Sequence, residues 1–381
     1  MWTGSLYYLF YFLSVGSYMP FLFVHLSDQG LSGKQIGLLA TLAPVMTVVL
    51  SPLVASIADR KRIRVRVSQV GLVCVAVTLF MFRYPTQFGG LAALMVSMAV
   101  FSAPFSSVGE GLIARMAQRN AFNYGAMRLW GSVGFAVTSL AFGFVWDALG
   151  FKIMFLISAV LFVTPIVVVG FVEEGPVIAA QERRPARQLL LDRALLLLLV
   201  GVVLSSIANS LSATFSSIYV RSLGGGNLLV GAMWAISAMA ELPTMFYSSR
   251  ISDKIGETAT LVIAYAVMGL SFLGYALVRD PALLLLLCAT KGLGYGLWLT
   301  TTVRAVTRRT AEEWASTAQS LLTICLMGLA PLVAGPVGGW VHDAVSPAAV
   351  FDVSAASLAA ACVVVAFAGR RRTLGAGARR S

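Results

Sequence analysis

About a dozen apolar stretches follow one another along this chain, each close to the roughly 20 residues that cross the hydrocarbon core of a bilayer. They fall at roughly 4–26, 34–57, 67–83, 89–116, 125–147, 152–172, 193–219, 227–250, 257–278, 281–304, 315–341 and 347–369. In 381 residues they leave no room for a soluble domain. The composition agrees, being 58% hydrophobic and 12% charged, whereas soluble domains carry about 25% charged residues. The expectation is an all-α membrane protein with twelve transmembrane helices.

A net charge of +12 raises the question of nucleic acid. The basic residues form no single patch, however. They flank the apolar stretches at 60–66, 115–119, 183–193, 250–254, 304–309 and 370–380. The opposite ends hold only Lys34, Arg83, Lys152, Arg221 and Arg279. Basic loops stay on the cytoplasmic side, so this asymmetry predicts an even number of spans with both termini cytoplasmic, in the plasma membrane. No nucleic-acid partner is expected. The partners are the lipid bilayer, a small-molecule substrate and protons, and the chain is expected to be a monomer.

The two ends of the chain echo each other. Asp59-Arg60 after the second stretch corresponds to Asp253-Lys254 after the eighth, and Gly143-Phe144-Val145-Trp146-Asp147-Ala148 corresponds to Gly339-Trp340-Val341-His342-Asp343-Ala344 at nearly the same offset. A duplicated six-span unit follows, with an N-terminal half at 1–172 and a C-terminal half at 193–369. Between them lies a cytoplasmic linker at 173–192, containing Gly175, Pro176 and Pro185, and a basic tail closes the chain at 370–381. Parallel repeats of this kind place a substrate site between the halves near the midplane.

The stretch Glu110 to Gly134 joins the end of one span to the start of the next. Glu110 precedes the basic edge at Arg115, and Arg128 follows the polar connection at Asn123. At 1.5 Å per residue both side chains lie roughly 6–9 Å inside the same boundary. An acid and a guanidinium at equal depth on consecutive antiparallel helices can neutralise each other where either alone is costly. The alternative has Glu110 meeting interfacial water or Arg115, while Arg128 snorkels to the headgroups.

The run Tyr124-Gly125-Ala126-Met127-Arg128-Leu129-Trp130-Gly131-Ser132-Val133-Gly134, with an acid on the preceding helix, resembles the major facilitator superfamily. Within it the chain is similar to the branch of phenylpropionate permeases, lactose permease and nucleoside:proton symporters, nearest the phenylpropionate-permease-like group. Tyr11-Phe12 to Pro20-Phe21, Ile36-Gly37-Leu38-Leu39, Val230-Gly231-Ala232-Met233-Trp234 and Glu241 extend the similarity over nearly the whole chain. The resemblance implies two six-helix halves rocking about a central cavity. It also implies gating by the loop with Asp59 and Arg60, where Ala55 replaces the family's usual glycine, with Asp253 as its echo.

Glu241 on span eight and Lys291 on span ten lie deep in the hydrocarbon region, where a charge requires a partner, a proton or a water-filled cavity. The position of Glu241 matches the span-eight acid of lactose permease. Lys291 departs from that relative, whose span-ten histidine and glutamate are absent from Gly292-Leu293-Gly294-Tyr295-Gly296-Leu297, and whose span-nine arginine is absent from Leu261 to Val278. Proton coupling would therefore fall to Glu241 or Glu110. Lys291 is open to two roles: pairing with Glu241, in transport or as a purely structural pair, or binding a substrate carboxylate.

Span seven presents Ser205, Asn209, Ser212, Ser216 and Tyr219 on one face, lining a cavity or a helix interface. Tyr11 on span one can stack a planar substrate or anchor the helix at the interface. The candidate substrate-binding set is Glu110, Arg128, Asn209, Glu241, Lys291, Tyr11 and Tyr295. Cys74, Cys288, Cys325 and Cys362 are isolated in apolar stretches and suggest neither disulfides nor a metal site. His25 and His342 fall at span ends, and no HExxH or GxSxG run occurs, so an enzyme is disfavoured and no cofactor is expected. Drug antiporters of the superfamily carry Gly-Pro in span five, and Gly131 to Trp146 has no proline. The reading is a proton symporter importing an aromatic acid, nucleoside or sugar, with efflux or facilitated diffusion as the alternative.

Overall fold

The computed structural model describes residues 2–172, 189, 191–311 and 314–377. Most of the linker and the end of the tail lie outside the described residues. No strand occurs among those described. The first five spans comprise Trp2–Asp28, Gly33–Ala40 with Leu42–Lys61, Arg64–Met81, Phe88–Arg119 and Tyr124–Leu149. The sixth is Phe151–Leu161 with Val163–Val169, and the seventh to tenth are Arg193–Ser222, Asn227–Ile255, Glu257–Leu277 and Leu284–Arg309. The eleventh is Ala315–Thr323, Ile324–Leu329 and Ala330–Ala344, and the last is Ala349–Gly377.

Among the described residues, 11 of these spans are long and apolar enough to cross a membrane. The remaining long helix, Leu284–Arg309, is diluted by Lys291 and by its glycines and threonines. The interruptions have a common cause. Proline cannot donate to the carbonyl four residues back, and its ring crowds that carbonyl. The first segments of spans two and six end at Ala40 and Leu161, four residues before Pro44 and Pro165. In span eleven the π-helical turn Ile324–Leu329 leads directly into Pro331, an alternative way of absorbing a missing bond.

The chain forms two compact units. The first comprises Met1–Ala179 and Ser217–Ala238. Spans one and five cross closely within it, because a Cβ at Gly134 would meet the Leu9 carbonyl at 2.6 Å and one at Gly16 the Phe135 carbonyl at 2.8 Å. Such small-residue crossings are how helices associate in lipid, where burial of apolar surface gives no drive. Trp146 Nε1 reinforces this crossing by donating to the Ser17 carbonyl at 2.9 Å, while Ser17 Oγ ties span one to span six by donating to Ser158 Oγ at 2.7 Å.

The second unit comprises Ala180–Ser216 and Met239–Ser381. Its ninth span is the hub. Tyr275 stacks on Phe351 of span twelve with centroids 5.1 Å apart, and its hydroxyl lies 2.6 Å from Cys288 Sγ of span ten. Ser271 and Thr290 join spans nine and ten again at 2.9 Å. All four cysteines are free thiols.

Candidate functional site

The first unit gathers aromatic rings around Arg128. Asn123 starts span five by accepting the Ala126 amide at 3.0 Å, which fixes the helix a turn before the arginine. The guanidinium carbon stands 4.1 Å from the Phe12 ring centre and 5.4 Å from that of Tyr8. Residues 8 and 12 are one turn apart on span one, so both rings present one face. The Tyr8 and Tyr124 hydroxyls lie 2.8 Å apart and tie that face to the start of span five. Arg128 is half-buried, and a guanidinium on aromatic faces in such a setting stabilises by roughly 0.5–1 kcal/mol.

Glu110, half-buried on span four, lies within electrostatic reach of Arg128 and of Tyr7 and Tyr8. The acid and the guanidinium paired in the sequence reading thus stand in a wider cluster, in which the Arg128 guanidinium also packs on the ring faces of Tyr8 and Phe12. Tyr11 stacks on Tyr7 with centroids 5.8 Å apart. It also borders a small pocket with Tyr18, Gly71, Phe101, Phe105 and Phe162. Tyr11 is therefore part of an aromatic lining within the bundle.

In the second unit spans eight and ten meet at Glu241. A Cβ at Gly296 would collide with the Glu241 carbonyl, which explains the glycine there, and Thr244 Oγ1 donates to that same carbonyl at 3.0 Å. Lys291 Nζ lies 5.6 Å from the Tyr295 ring centre, one helical turn away. Asn209 donates to the Ser205 carbonyl of its own helix at 2.9 Å and faces Met268 Sδ at 3.9 Å. Its amide thus reaches span nine, and Ser212 and Ser216 bond each other at 2.9 Å.

The two aspartates expected at gating loops occupy equivalent places in their own units. Asp59 pairs with Arg64 and, at 3.2 Å, with Arg115 at the end of span four. Asp253 pairs with Arg304 and, at 3.4 Å, with Arg308 at the end of span ten. Glu257 adds a second carboxylate there, 3.0 Å from Arg308. Arg60 is exposed, and the partners of Asp59 are Arg64 and Arg115. The sequence offered no way to choose among several neighbouring arginines.

One acid is marked in the sequence only as part of the repeat, and its role is missed there. Asp147, at the end of span five, accepts the backbone amides of Asn227 and Leu228 at 2.7 and 2.9 Å. Span eight follows three glycines and so has no capping side chain of its own before Asn227. That missing cap was the available signal. Gly143 and Gly231 let the helices approach, and a Cβ on Gly231 would strike the Ser139 carbonyl.

The model of the MFS_1 like family matches residues 1–353. The chain belongs to that family. This MFS_1 like protein is 28% identical to a maltose permease of Geobacillus stearothermophilus over 97% of the chain and 95% of the relative. It is 25% identical to a probable 3-phenylpropionic acid transporter of Escherichia coli over 68% of the chain and 69% of the relative. It is also 25% identical to a multidrug resistance protein MdtG of Salmonella arizonae over 71% and 70%. Among solved structures, a mutant of the nucleoside transporter NupG superposes with a TM-score of 0.85 at 16% identity, covering 96% of this chain and 98% of that one. At that identity the likeness concerns the fold. The MFS_1 like protein is a multi-pass membrane transporter and not an enzyme.

Proposed function

We propose that this MFS_1 like transporter imports a small organic solute by proton symport with alternating access, in the plasma membrane with both termini cytoplasmic. The observation that carries the reading is the Arg128 cluster, a guanidinium held on aromatic faces inside the first unit with Glu110 within electrostatic reach. Membrane spans seldom keep ionisable groups that serve no function. Substrate contacts fall to Arg128, Glu110 and Tyr11, with Asn209, Glu241, Lys291 and Tyr295 in the second unit. Glu241 carries the proton, and the Asp59 and Asp253 networks act in gating.

A sugar is the first substrate class to test, because the maltose permease match spans 97% of the chain. An aromatic acid is the second and a nucleoside the third. Efflux is the competing direction, and it is supported by similarity to MdtG over 71% of the chain. Labelled maltose, 3-phenylpropionate and uridine offered to whole cells and to inverted vesicles, with and without an uncoupler, separate these readings. Uncoupler-sensitive accumulation by cells supports symport. Energised accumulation confined to inverted vesicles identifies an exporter and overturns it.

A further inference from the structure

The direction taken by the Arg128 side chain is informative. Arg128 lies four residues from the start of span five at Tyr124. A snorkelling arginine would turn towards that nearby end, which is also the way helical side chains naturally lean. Here a Cβ built on Gly131 would meet Arg128 Nη1 at 2.8 Å and Phe12 Cδ2 at 2.7 Å. The guanidinium therefore lies along its own helix towards Gly131, roughly one turn further from the near end. Phe12 covers it from span one at 4.1 Å. Any side chain at position 131 would occupy the space that the guanidinium and the ring share.

We propose that Phe12 and Gly131 are positioning residues for Arg128, a shelf and a recess that turn the guanidinium away from the near membrane boundary and towards ligand. The inference rests on the reading that Arg128 binds substrate. An aromatic ring engages the face of a guanidinium and leaves its in-plane N–H donors available. The ligand group that suits such an edge has two coplanar oxygen acceptors, as in a carboxylate or a pair of neighbouring hydroxyls. Tyr8 steadies the shelf through its bond to Tyr124.

The test uses the full chain in proteoliposomes and the arginine reagent phenylglyoxal, with modification of Arg128 quantified by peptide mass spectrometry relative to the exposed Arg119. Phe12→Leu keeps an apolar side chain, and Gly131→Ala removes the recess from the other helix. Each is expected to raise relative modification of Arg128 by about two- to fivefold, as loss of a cation–π contact allows. Phe12→Tyr, which keeps the ring, is expected to retain the original ratio. In uptake of whichever of maltose, 3-phenylpropionate or uridine the unaltered protein carries, the first two variants should raise KM with kcat nearly unchanged. An unchanged modification ratio in both variants overturns the shelf. A raised ratio with unchanged KM shows that the shelf exists but that Arg128 does not bind substrate, and so overturns the reading beneath it.

Discussion

Asp147 Oδ1 accepts the backbone N–H of Asn227 at 2.7 Å, so the last turn of span five caps the first turn of span eight. A helix start exposes amides without partners and a positive end of its dipole, and a carboxylate satisfies both. Span two, by contrast, caps itself, with Ser32 and Gln35 bonding reciprocally. The neighbourhood is tight, since Gly226 approaches the Asp147 carboxylate and Gly143 approaches the Asn227 carbonyl.

Replacing Asp147 with alanine should therefore destabilise the protein by about 1–2 kcal/mol, the range for losing a helix cap. Asp147→Asn keeps a single acceptor oxygen and should lose less. Thermal midpoints of the purified protein in one detergent check the order. A midpoint for the alanine variant equal to that of the unaltered protein would show that solvent replaces the cap without loss.

Orientation is open to thiol labelling. Cysteine at Lys61 should resist an impermeant reagent added to intact cells, and cysteine at Gln29 should react. Position 227 is unsuitable as a second external probe, because Asn227 is buried and its amide is engaged. Gly224, in the turn before span eight, is the better site. Labelling at 61 from outside would reverse the assigned topology.

Arg128→Lys tests whether charge alone suffices. Lysine keeps the charge but loses the planar group that spreads over Phe12 and offers paired donors. Uptake should fall by at least tenfold at normal expression. Full uptake by the lysine variant would leave Arg128 as a tether to the rings of span one.

Coupling is tested at Glu241. Glu241→Gln mimics the protonated acid, so it should stop uphill accumulation while exchange between preloaded vesicles continues. Glu110→Gln should weaken both processes, because it changes the surroundings of Arg128. If Glu241 and Lys291 instead form a static pair, the double variant Glu241→Gln with Lys291→Gln should regain accumulation. Uphill accumulation by the doubly neutral protein would remove the proton from Glu241.

Individual elements show how much was legible beforehand. Span positions could be read because an apolar run of sufficient length has few alternatives in lipid. The helices overran the expected limits at the basic ends, to Arg119, Ile255 and Arg309. Hydropathy registers where charge begins, whereas the helix backbone continues beyond it. The breaks at Ala40 and Leu161 follow from prolines visible in the chain, but whether proline breaks a helix or only bends it depends on packing: Pro20, Pro52 and Pro243 stand inside continuous helices.

The sequence by itself determined the helical class, the repeated aspartate after spans two and eight, and the small set of ionisable groups able to act inside the membrane. Local composition decides these, because the bilayer penalises each exposed charge and unbonded amide where it stands. Only the tertiary structure decided the partners. It gave Arg128 the ring of Phe12, Asp59 the guanidinium of Arg115, and Asp147 the amides of span eight. Those pairings join residues distant along the chain, and they depend on how closely two helices approach. Single glycines such as Gly131, Gly231 and Gly296 set that distance, and their meaning emerges only when the opposing helix is in place.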